Sequence, residues 1–202
     1  AEPLELDRDF LGRENCPEIL VATVPDVIRN IHRKYLEAGA DIVETNSFGG
    51  TKVVLAEFDL VDRAHELNVA AARLAREAAA EFSTPSKPRF VAGSLGPTTK
   101  ASITLTGGIT FPELEENYFD QGKSLIEGGV DLLLIETAQD TRNIKAALLG
   151  VERAKRELGL DVPVMLSVTI ERQGAMLAGQ PIDALWASVA HANLFSVGLN
   201  CA

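Results

Sequence analysis

Two carboxylates and a thiol stand where apolar runs give out. Glu44 closes "ADIVET" and leads into Thr45, Asn46 and Ser47. Glu136 and Thr137 close "VDLLLIET", and Cys201 follows Asn200 at the end of "LFSVGLNC". A carboxylate at the end of an apolar strand is costly to bury unless a cation offsets it. For Glu136 that cation is either a substrate ammonium or a neighbouring Arg or Lys; Glu44 is a weaker candidate on the same grounds. A thiolate is both nucleophile and metal ligand. A lone cysteine is no metal motif, however, and a cysteine on a strand is usually a small buried hydrophobe. Thr45, Asn46, Ser47 and Ser94 carry donors suited to a substrate carboxylate, or to bonds within their own turns. Asn200 is placed to orient the thiol of Cys201.

These residues need a scaffold, and the sequence supplies a rhythm for one. Apolar segments at 40–45, 89–94, 130–137, 162–170 and 194–201 are rich in Val, Ile and Leu. Such runs suit strands buried on both faces of a parallel sheet. Helical patterns lie between them at 24–38, 60–82, 111–127, 141–158 and 182–192. Thr23 with Asp26, and Thr110 with Glu113, have capping-box spacing; Pro112 fits a first turn, and Gly39, Gly128 and Gly159 fit helix ends. Strand–helix alternation implies right-handed crossovers, in a doubly wound sheet or a (β/α)₈ barrel. No G-x-G-x-x-G follows a strand, so the dinucleotide fold lacks its fingerprint. Polar strand ends favour the barrel, whose active sites sit on that rim. A full barrel takes eight strands and roughly 250 residues. The expectation is therefore an α/β (β/α)₈ TIM-type barrel, parallel and incomplete, with five of its strands in a single domain over 1–202. The first strand and two or more last ones are expected to be missing.

Composition narrows the function classes. The chain of 202 residues is 46% hydrophobic and carries a net charge of −10, with no basic block. That excludes nucleic acid and anionic membranes as natural partners. No apolar run is long enough to span a bilayer. Two distant cysteines make no disulfide framework and suit a reducing cytoplasm. His32, His65 and His191 fall in helices away from the rim, and Cys16 falls in a loop; none is expected to bind metal. The Gly-bearing stretches 93–99 and 107–109 lack Walker spacing. Trp186 and the phenylalanines are expected in the core.

Four motifs occur in order: "YLEAGADIVETNSFGG", "FVAGSLGPTTK", "GGVDLLLIETAQDTRNIKAAL" and "GLNCA". Together they resemble the homocysteine-binding barrel of the homocysteine S-methyltransferase family. "TFPELEENYFDQ" and "IETAQDTRNIKAA" resemble its cobalamin-dependent methionine synthase branch more than the betaine- or S-methylmethionine-dependent branches. The resemblance implies zinc held by three cysteine thiolates, of which Cys201 is one and an adjacent pair beyond this sequence supplies the others. It implies that Glu136 binds the homocysteine amino group. It also implies methylcobalamin as methyl donor, carried with folate by other modules of the same polypeptide. The family's "DGAMGT"-like first strand is absent here. Two other classes remain open on the residues alone: a metal-free, phosphate-binding isomerase or aldolase barrel, and a non-catalytic barrel piece.

Overall fold

The computed structural model describes residues 3–100 and 108–201. Gly107, in one of the Gly-bearing stretches, lies outside them. In chain order the elements are α1 (Leu6–Asp9), α2 (Leu20–Thr23), α3 (Pro25–Glu37), β1 (Ile42–Glu44), α4 (Lys52–Leu55), α5 (Ala64–Phe82) and β2 (Phe90–Leu95). There follow α6 (Phe111–Glu127), β3 (Leu132–Ala138), α7 (Thr141–Leu158), β4 (Val164–Val168), α8 (Ile182–Val189) and β5 (Ser196–Leu199). Short 3₁₀ turns fill in at Pro17–Ile19, Ala56–Phe58, Val61–Arg63 and Ala190–Ala192.

All five strands are parallel and lie in the order β1-β2-β3-β4-β5. This order decides between the two architectures. A right-handed crossover to the next strand always lands its helix on the same face. A doubly wound sheet must reverse its strand order to cover both faces. Here nothing reverses, so the helices stack on one side and the sheet is singly wound, as in a barrel wall. The barrel is not closed by these strands.

The core follows from that arrangement. Val43, Val91, Leu133, Ile135, Leu166 and Val168 point outward and are buried against α5, α6 and α7. The opposite, inward face holds a small apolar cluster of Ala92, Leu132 and Leu134, with Met165 packed on it. Strand periodicity puts Glu44, Ser94, Glu136 and Ser167 on this inward face as well. Contact between α6 and α7 depends on Gly150. A Cβ there would stand 2.5 Å from Glu115 O and 2.7 Å from Phe119 N.

Helix ends mostly obey local chemistry. Thr110 caps α6 in a reciprocal capping box with Glu113. Asp140 caps α7 by accepting from Asn143 N at 2.7 Å, and Gly159 ends it in the left-handed region. Thr23 departs from expectation. It is the last residue of α2, and its hydroxyl donates to Asp9 O at 2.6 Å instead of capping α3. Pro25 opens α3 and has no N–H of its own to satisfy, which weakens the need for a cap. Trp186 is also a correction: it is 56% exposed, because α8 packs through Leu185 and Val189 and presents Trp186 on its outer side. Phe48, Phe90 and Phe195 are exposed too.

Candidate functional site

The C-terminal ends of the strands carry a chain of hydrogen bonds whose directions can be worked out. Ser47 Oγ donates to Ser94 O at 2.8 Å, since a carbonyl can only accept. The contact of 2.6 Å between Thr45 Oγ1 and Ser47 Oγ must then have Thr45 as donor. Thr45 Oγ1 in turn accepts from Ser94 N at 3.0 Å. The hydroxyl protons of Thr45 and Ser47 are thus committed within the protein, and both residues are buried. Ser94 donates its own proton along the inward face, to Glu136 Oε1 at 2.5 Å. Oε2 of Glu136 accepts nothing from the described residues, and strand periodicity places the side chain on the inward face. Asn46 turns aside: its Nδ2 donates to Pro17 O at 2.8 Å.

A second group sits across β3 and β5. Asn200 Oδ1 accepts from Ser167 Oγ at 2.8 Å. Asn200 Nδ2 donates to Thr137 Oγ1 at 2.8 Å and lies 3.3 Å from Cys201 Sγ. Thr137 follows Glu136 directly, so the thiol and the carboxylate belong to one rim. Thr137 has φ 56°, in the left-handed region that β-branched residues rarely adopt. The register between β3 and β4 shifts between Ile135 and Ala138, around this residue. That irregularity turns Thr137 toward Asn200. Cys201 is exposed, with φ 51°.

Electrostatics mark the inner face as acidic. Part of Glu44 reaches solvent, yet burial of its carboxyl, and then the nearby charge of Glu136, holds it above the usual carboxylate range. Cys16 is fully buried, and its thiol is pushed up to about 11 by burial and by Glu18. A thiol in that state is inert. His32 is buried on α3, and His65 Nδ1 lies 3.0 Å from Ser124 Oγ, so neither joins the rim bonds. A cleft of about 590 Å³ opens beside the rim, lined by Glu18, Thr45, Asn46, Phe48, Thr98 and Gln139. A larger one, about 910 Å³, lies against α7 at Pro163, Val164 and Phe195. These residues mark the opposite end of the strands, away from the carboxylate and thiol.

Among the described residues no group of three or more His, Cys, Asp or Glu side chains could hold a metal ion. Cys201 by itself offers one exposed thiol of suitable chemistry, with an amide hydrogen bond beside it.

The sequence model of the homocysteine S-methyltransferase family matches residues 2–202. The chain belongs to the homocysteine S-methyltransferase family. It is 42% identical to methionine synthase from Mycobacterium leprae over 199 residues, 98% of this chain and 16% of that protein. Against methionine synthase from Mycobacterium tuberculosis it is 42% identical over 202 residues, all of this chain and 17% of that protein. The chain therefore spans about a sixth of the length of these relatives. The fold matches the homocysteine methyltransferase MmuM from Escherichia coli, metallated form, with a TM-score of 0.77 at 20% identity. That alignment covers 98% of this chain and 72% of the other. No helix among the described residues is long and apolar enough to cross a membrane.

Thr137 and Ser167 complete the second group, although residue type and spacing did not single them out as site residues. Their polar types at strand ends were the available signal; the left-handed turn that brings Thr137 to Asn200 has none.

Proposed function

We propose that this chain is the greater part of a homocysteine-binding barrel that presents the homocysteine thiol for methyl transfer, yielding methionine, within a cobalamin-dependent methionine synthase. The observation that carries the reading is one rim holding both chemistries: Glu136 oriented by Ser94, and Cys201 tied through Asn200 to Thr137. In this reading Glu136 receives the substrate ammonium on its free Oε2, while the Ser94 proton fixes Oε1. A charge-assisted hydrogen bond there offsets the cost of holding a carboxylate among apolar strands. Thr45 and Ser47 act from behind by holding Ser94, and Asn46 anchors the same loop to Pro17. Asn200 donates toward Sγ of Cys201, which orients that sulfur on the rim.

Cys201 would supply one ligand to a zinc ion; two further thiolates, implied by the family, are not among the described residues. Zinc with three protein ligands keeps a position open for a substrate sulfur and favours its thiolate near neutral pH. The methyl donor in this reading is methylcobalamin, carried by a separate module beside one for folate. Identity of 42% with methionine synthases along the whole chain supports that branch. Two unpaired cysteines, Cys16 and Cys201, fit a reducing cytoplasm.

The test is metal analysis of the complete natural polypeptide. One zinc per chain is expected, with loss of most of it in Cys201→Ala. Full zinc occupancy in that variant would remove Cys201 from the ligand set.

A further inference from the structure

The loop that bears Thr45 and Ser47 is gripped from outside the strand layer by two buried amides. Asn68 on α5 and Gln121 on α6 are each 2% exposed. Gln121 Nε2 donates to Ser47 O at 2.7 Å, and lies 3.4 Å from Ser94 O and 3.3 Å from Asn68 Oδ1. Asn68 Nδ2 donates at 2.7 Å to Gly50 O and at 2.7 Å to Ala64 O. The loop passes so close that Gly50 has no room for a side chain. A Cβ there would stand 2.3 Å from Asn68 Oδ1 and 2.8 Å from Gln121 Nε2. Both carbonyls near Gln121 belong to residues of the rim chain, which ends on Glu136.

We propose that Gln121, braced by Asn68, is a positioning residue for the amino-acid end of the substrate site. It fixes Ser47 and Ser94 from behind, and so aims the Ser94 hydroxyl at Glu136. Neither amide is on the inward face, so the effect reaches Glu136 through Ser47 and Ser94 and not by direct contact. The proposal rests on the homocysteine reading given above and adds a residue that the reading does not need.

Gln121→Met keeps length and loses every donor. Ser47 O keeps only its bond from Gly50 N, and Ser94 O only its bond from Ser47 Oγ, so each loses its tie to α6 and is freer to shift. Calorimetric titration of homocysteine into the complete natural polypeptide should show Kd weakened about tenfold, the equivalent of one hydrogen bond. The analogue without the amino group, 4-mercaptobutanoate, should bind wild type and variant alike. Combining Gln121→Met with Ser94→Ala should weaken binding no more than Ser94→Ala alone, because both act on one contact. Ala154→Gly, in the buried middle of α7, serves as a control that lowers the melting temperature while leaving affinity unchanged. Equal losses for both ligands, additive losses in the double variant, or an equal loss in the control would each overturn the positioning role. A wild type that binds homocysteine beside an unaffected Gln121→Met overturns this inference alone. A wild type that does not bind homocysteine overturns the site reading, and this inference with it.

Discussion

Replacing Glu136 by Gln isolates the charge at the centre of the proposed site. The substitution keeps the side-chain length and keeps an acceptor oxygen for Ser94 Oγ, now 2.5 Å from Oε1. The rim chain through Thr45, Ser47 and Ser94 therefore has its full set of partners. What disappears is the negative charge that faces the inner side of the sheet. A hydrogen bond to a charged group contributes about 1.5–3 kcal/mol. Kd for homocysteine should thus rise about 10- to 150-fold in the complete natural polypeptide, read by calorimetry at pH 7. The same titration with 4-mercaptobutanoate separates this effect from damage to the thiol end. That ligand has no ammonium, so its Kd should hold steady or improve slightly, since its own carboxylate meets one fewer negative charge. Unchanged homocysteine affinity in Glu136→Gln, or an equal loss for both ligands, would refute the ammonium role.

Glu44 and Gly150 give two further expected outcomes. Glu44 is held above the usual carboxylate range in the folded chain. Its proton is therefore favoured by folding, and the associated stability is full below the ordinary carboxylate pKa and fades as pH rises through the folded value. Glu44→Gln should leave the melting temperature nearly unchanged near pH 4 and raise it at pH 7; a gain that is the same at both pH values would contradict this. Gly150→Ala should lower stability by about 1–3 kcal/mol, because its Cβ would press on the backbone of α6 at Glu115 and Phe119. A variant as stable as wild type in urea unfolding would show that the two helices can separate at little cost.

Elements with strong local signals could be read from sequence. The Thr110–Glu113 pair and the Gly128-Gly129 stop bracket α6, and apolar runs, most of them near-continuous in Val, Ile and Leu, marked the five strands. The placement of Glu136 and Cys201 at strand ends was legible because polar atoms closed apolar runs. What escaped was set by tertiary contact. Trp186 is apolar by type, but which side of α8 meets the sheet is decided by neighbours. Thr23 has the residue type of a cap, yet α2 reaches it first and Asp9 takes its proton. α4, four residues behind the cap of Thr51, is too short to show a period. Gln121 and Asn68 look like surface amides within helical patterns. Only the close approach of the 45–51 loop makes them buried donors. Thr137 in a left-handed turn follows from no propensity at all.

The unreversed strand order has a consequence for how the chain acquires its shape. Each strand lies beside the one synthesised just before it, so docking a new unit never waits for a distant partner. Pairings between neighbours in sequence keep each loop to be closed shorter than a reversed strand order would, which favours stepwise growth of the wall from its amino-terminal side as the ribosome releases it.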